Sequence, residues 1–159
     1  LIHFFKYRHD WPLAGRLGAR LADLGPVAEI LASADVIVPL PLHWLRHVGR
    51  GFNQAVIVAR VMGRRHGVKV RRAVVRLRGT PTQTTMHKRA RRLENLANAF
   101  GVVSPSQVRG KRVVLVDDVV TTAATLQTLA REVRRHEPAS VSAIVLAIAD
   151  PKGRAFETI

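Results

Sequence analysis

The segment from Val113 to Ala130, VVLVDDVVTTAATLQTLA, constrains the fold more tightly than any other part of the chain. Val113, Val114, Leu115 and Val116 form a continuous apolar run with no polar face, so a strand built from them must be covered on both sides. Strands of that kind belong to parallel sheets packed between helices. Two carboxylates, Asp117 and Asp118, close the run, and the expected strand covers 111–117. A threonine-rich turn follows and opens directly into 123–136, where Leu126, Leu129, Ala130 and Val133 recur at helical spacing on one face. Pro138 stops that helix, and 141–149 reads as a last buried strand. Strand, turn, helix and strand in this order make a βαβ unit, and the fold class is α/β: a mainly parallel sheet flanked by helices.

The rest of the chain continues the alternation. Asp10 caps a helix with Pro12 in its first turn, and Leu13, Leu17, Leu21 and Leu24 form its apolar stripe up to Gly25-Pro26. A short second helical stretch precedes a strand over 35–38, closed by Pro39 and Pro41. A His- and Arg-rich loop covers 42–51, and a helix covers 52–65, ending before Gly67. The stretch 68–77 reads as a strand or strand pair, and 99–103 as another short strand. Between them, 78–92 is polar and basic and lacks an apolar face. No internal repeat or low-complexity tract appears, and 159 residues fit a single domain covering 1–159.

Composition narrows the function classes. Cysteine is absent, which removes disulfides and thiolate metal sites and suits a reducing cytoplasm. No apolar run approaches the roughly 20 residues needed to span a bilayer, so no membrane partner is expected. The N-terminal stretch, broken by Lys6, Arg8 and Asp10, lacks signal-peptide architecture, and the sequence opens on Leu1 rather than Met. A formal charge of +15 attracts anions: phosphates, diphosphates or nucleic acid.

At the carboxyl end of a parallel strand, the acid pair sits where α/β sheets bind ligands. Adjacent carboxylates accept the two hydroxyls of a sugar diol. The helix N-terminus that follows offers unpaired backbone N–H groups and a positive partial charge to a phosphate, and Thr121, Thr122 and Thr125 add hydroxyls. A purely structural alternative makes Asp117 and Asp118 a loop start and a helix cap. A receiver-type phosphoacceptor site would need a later Asp, and only Asp150 is available.

The same segment resembles the signature of type I phosphoribosyltransferases: four apolar residues, two acids, two variable residues and a phosphate turn. The resemblance implies a ligand, 5-phosphoribosyl 1-diphosphate (PRPP), held with Mg²⁺ that is bound by ligand oxygens and water and not by protein side chains. It assigns Asp117 and Asp118 to the ribose hydroxyls and places Val119, Val120, Thr121, Thr122, Ala123, Ala124 and Thr125 along the bound ligand. Ala123 stands where the family usually has Gly, and a turn needing positive φ would be strained there. Purine transferases of the hypoxanthine type carry an Asp at the position of Thr121, so this chain is not expected to use a carboxylate base there.

Two further stretches are similar to the ComF competence-protein family. Val38–Ala55 has the Pro-rich strand end followed by Arg50, Gly51, Phe52, Asn53 and Gln54. Leu77–Phe100 carries Thr80, Gln83, Arg92, Asn95 and Phe100. The resemblance makes 38–51 the diphosphate loop and 78–92 a flexible hood. It names Arg50 and Arg92 beside the acids as catalytic, and Arg50, Arg78 and Arg89 as ligand contacts. Arg46 and Arg76 are further diphosphate candidates, because a planar guanidinium bonds phosphate oxygens bidentately. His43 and His47 lack a third ligand for a metal. The four-cysteine zinc module that ComF relatives often carry is not part of these residues. Family membership also implies a rival role without catalysis. In it the chain contacts single-stranded DNA during uptake, through its charge and through Tyr7, Trp11, Trp44 or Phe52, as a homodimer or with a competence-protein partner.

Overall fold

The computed structural model describes residues 11–41, 53–77, 99–120 and 123–148. Its elements are α1 (Trp11–Ala22), α2 (Gly25–Ala32), β1 (Val36–Pro39), α3 (Gln54–His66), β2 (Lys69–Val70), β3 (Val74–Arg76), β4 (Phe100–Val102), a 3-10 turn at Pro105–Gln107, β5 (Arg112–Val120), α4 (Ala124–Arg134) and β6 (Ser140–Ile148).

Four strands form one parallel sheet in the order β2-β1-β5-β6. β1 pairs with β5 from Val36 opposite Val113 to Pro39 opposite Val116. Alternation sorts the side chains. Val36, Val38, Val113 and Leu115 share one cluster with Val74, Phe100, Leu129 and Val133; Ile37, Val114, Val116 and Ile144 share the other with Leu31, Val58, Ala59 and Met62. The apolar run of β5 is therefore consumed on both faces, each buried side chain contributing about 1.5–3 kcal/mol. α4 and the β3–β4 hairpin cover the first face, and α1, α2 and α3 the second.

Several expectations change in detail. Leu24 does not extend the α1 stripe: it is 54% exposed and extended (φ −70, ψ 131) at the N-cap of α2. Gly25-Pro26 opens that second helix instead of ending the first, since proline is tolerated in the first turn, where its missing N–H has no intrahelical partner. The 68–77 segment is two strands belonging to different sheets. β2 extends the parallel sheet, while β3 turns away to pair antiparallel with β4. Bonds from Leu77 N–H to Ala99 O (2.8 Å) and from Val103 N–H to Ala73 O (2.9 Å) close that hairpin. The last strand, expected to be buried, stands at one end of the sheet among the described residues, and Ile144 alone in it is buried.

Two glycines make the α3–β2 connection possible. Gly67 ends α3 in the left-handed region at φ 68. A Cβ on Gly63 would stand 2.6 Å from the Val68 carbonyl oxygen, so only glycine lets the chain fold back so closely.

Candidate functional site

β5 does not stop at the acid pair. It runs on to Val120, and Asp117, Val119 and Val120 keep their register opposite Val145, Ala147 and Ile148. The pair therefore lies within the strand, with hydrogen bonding on either side. Asp118 has no register partner, and Val119 packs in the second cluster, although strict alternation would send it with Val113 and Leu115 to the first. The strand rotates at the acids. Each carboxylate then accepts the next backbone N–H: Asp118 N–H donates to Asp117 Oδ1 and Val119 N–H to Asp118 Oδ1, both at 2.8 Å.

Asp117 is 7% exposed, and Asp118 is half-buried. Burial first, then the negative charge of Asp118 and a hydrogen bond with its side chain, push the Asp117 carboxyl up to about 7. The Asp118 backbone N–H and the Arg76 guanidinium pull the other way. Arg76 ends β3, with its guanidinium 5.5 Å from the centre of the Phe100 ring. The hairpin thus brings one of the candidate arginines to the acid pair.

Ala123 and Ala124 begin the helical turn of α4, and Thr125 is half-buried in that turn. Ala123 has φ −64 and ψ −10, ordinary helical geometry, so the strain expected for a residue replacing glycine is absent. Thr121, Thr122, His43, His47, Arg46, Arg50, Arg78, Arg89 and Arg92, with the diphosphate loop and the hood, lie outside the described residues.

The Arg50–Gln54 motif divides by role. Asn53 is structural: its Oδ1 accepts from Ala55 N–H at 3.0 Å as the N-cap of α3, and its Nδ2 donates to Leu40 O at 2.9 Å. Leu40 N–H in turn bonds Val116 O at 2.8 Å, next to the acid pair. One side chain thus fixes the start of α3 to the carboxyl edge of the sheet. Sequence reasoning gave Asn53 no such role, although Asn before a helical pattern is a capping signal.

Comparison with known proteins places this geometry. The phosphoribosyl transferase domain family matches residues 48–158. DNA utilization protein YhgH of Escherichia coli strain K12 is 41% identical over 150 residues, covering 89% of this chain and 63% of that protein. Competence protein F of Haemophilus influenzae is 36% identical over 141 residues, covering 85% and 61%. The chain therefore spans under two thirds of the length of these relatives. Among solved structures, hypoxanthine phosphoribosyl transferase of Trypanosoma cruzi aligns with a TM-score of 0.56 at 16% identity over 94% of this chain and 71% of that one. An allosteric regulatory enzyme of purine biosynthesis aligns at 0.58 and 20% identity over 87% and 26%. At such identities the likeness is one of fold, and it agrees with the parallel sheet flanked by helices. Taken with the extent of the family match, these findings establish that the chain belongs to the phosphoribosyl transferase domain family.

Proposed function

We propose that the chain binds PRPP at the carboxyl edge of its sheet and transfers the 5-phosphoribosyl group to a nucleophile, releasing diphosphate. The observation that carries this reading is the Asp117–Asp118 pair, two adjacent carboxylates held half or more buried beside the N-terminus of α4. Nothing in the packing calls for them, since burying like charges together opposes folding. A ribose diol offers the hydrogen-bond donors that such a pair lacks, and the helix N-terminus suits the 5-phosphate. In the reaction the C1–O bond breaks with its electron pair leaving on diphosphate, and the nucleophile's lone pair forms the new bond to C1. The protein contributes orientation and electrostatic support. The Arg76 guanidinium favours the Asp117 anion against the effect of burial, while Arg50 and Arg92 carry the leaving-group role that the family resemblance implies.

Mg²⁺ fits this site as an ion brought by the ligand. It prefers octahedral oxygen coordination, and among the described residues no three His, Cys, Asp or Glu side chains converge. Diphosphate oxygens and water would hold it near Asp117 and Asp118, and when bound it offsets the charge of the leaving group. Among the described residues no helix is long and apolar enough to cross a membrane. A cytoplasmic setting and a single domain complete the proposal.

Calorimetric titration with PRPP·Mg²⁺ tests it. Saturable one-site binding supports the reading, and no binding at millimolar ligand rejects it. A second reading, contact with single-stranded DNA, is favoured by the names of the relatives and by Arg16 and Arg20 on α1 and Arg60 and Arg64 on α3. These four are exposed and form no ion pair among the described residues. Such binding must weaken steeply as salt rises. Binding to the PRPP pocket depends on salt less.

A further inference from the structure

Gln54 is 4% exposed, yet its Oε1 has no hydrogen-bond partner. A buried carbonyl left unpaired costs about 1–3 kcal/mol, whereas an apolar side chain of the same size would cost nothing there. Its place gives the reason. Gln54 is the first residue of α3, directly after Asn53, which is tied through Leu40 to Val116, the residue before Asp117. It lies at the carboxyl edge, on the helix that packs over Val114 and Val116. Val119, the residue after the acids, joins that same cluster.

We infer that Gln54 is a ligand-binding residue whose amide oxygen accepts a hydrogen bond from a donor carried by the phosphoribosyl ligand. The inference rests on the PRPP reading above. Phosphate and diphosphate oxygens accept only, and the two free ribosyl hydroxyls of PRPP are assigned to Asp117 and Asp118, so the donor is a water on the accompanying cation. The free chain therefore keeps an unmet acceptor that the ligand completes.

The test replaces the amide with an apolar side chain of similar length, Gln54→Met, in the full chain. It measures thermal unfolding without ligand and calorimetric affinity for PRPP·Mg²⁺, ribose 5-phosphate and Mg²⁺·diphosphate. The expected result is a raised Tm together with at least a tenfold loss of PRPP affinity. A parallel loss for Mg²⁺·diphosphate with ribose 5-phosphate affinity unchanged identifies cation-bound water, and a loss for ribose 5-phosphate instead overturns that donor. Gln54→Glu, which keeps an acceptor, must bind better than Gln54→Met and serves as the comparison if the Met variant folds poorly. A Tm that falls in the folded Met variant, or PRPP affinity within twofold of the wild type, overturns the inference while the PRPP reading stands. A wild-type chain that does not bind PRPP overturns both.

Discussion

At its amino end, β5 begins with Arg112, whose guanidinium donates to both oxygens of Asp35 at 2.9 and 3.1 Å while its backbone N–H adds a third bond at 2.8 Å. Arg112, chiefly by its side-chain hydrogen bond and then by its backbone N–H, holds the Asp35 carboxyl well below the usual carboxylate range. At the other end of the same strand, Asp117 is buried against another carboxylate and is pushed far above that range. The first arrangement satisfies a charge and sets the β1–β5 register, with Asp35 N–H also bonding Arg112 O at 3.0 Å. The second sets two carboxylates together, each accepting one backbone N–H, and leaves their charge poorly offset. One strand thus separates an end that serves folding from an end that serves binding.

The widest separation between the ends comes from removing the charges at the binding end. Asp117→Asn with Asp118→Asn should abolish PRPP binding in a folded protein. Each charge-assisted bond to the ribose is worth about 1.5–3 kcal/mol, so the loss should exceed roughly a hundredfold by calorimetry. Affinity that survives in the double variant removes the ribose assignment.

Next in size is the stability of the unliganded chain. The folded Asp117 carboxyl, at about 7, binds its proton more tightly than the unfolded one, at 3.8. Stability is therefore highest below pH 4 as far as this group is concerned, and it falls as pH rises toward 7. Asp117→Asn should remove that fall and stabilise the free protein at pH 8 by on the order of a few kcal/mol, each pH unit between the two values being worth roughly 1.4 kcal/mol. Chemical denaturation at pH 5 and pH 8 measures it. Ligand binding should show the opposite slope: the hydroxyls need the anion, so PRPP affinity should rise from pH 6 to pH 8. Flat profiles would place Asp117 in an ordinary exposed setting.

A smaller effect belongs to the folding end. Asp35→Asn should lower Tm modestly at pH 7, because the pair is partly exposed and screened. Asp35 has its pKa depressed on folding, so its stabilisation is present above the unfolded value and is lost as pH falls through the folded one. Wild type and variant should converge in strong acid, and PRPP affinity should be unchanged. A change in PRPP affinity would show that the two ends are coupled. The smallest effect is expected at Ala123. Because its φ is already helical, Ala123→Gly should leave affinity for ribose 5-phosphate within about twofold and shift stability by at most about 1 kcal/mol.

The parallel sheet and the acid pair were legible because four apolar residues in a row admit few placements, and because two carboxylates before a helix have few uses. The inward face of α4, with Leu129 and Val133 buried, followed from spacing alone. The fate of 68–77 was not legible. Which sheet a short strand joins depends on partners distant in sequence, here Ile37 for one piece and Gly101 for the other. Nor was the exposure of β6, since an apolar run reads the same at an edge as in the middle. The conformation of Ala123 was misjudged for a related reason: the family's glycine implied a positive φ that Ala123 does not adopt. Gln54 gave no signal in periodicity or charge, because an unmet acceptor is visible only once its surroundings are known.

The bond between Leu77 and Ala99 has a consequence for how such a chain can change over generations. It fastens the two points where the polypeptide leaves the hairpin and returns to it. A change in the intervening length then costs the fold little in loop-closure entropy. Doubling a closed segment costs only about 0.6 kcal/mol. Changes in the length of chain between those points can accumulate while β3 and β4 keep their register, so the hairpin acts as a fixed frame for the stretch it encloses.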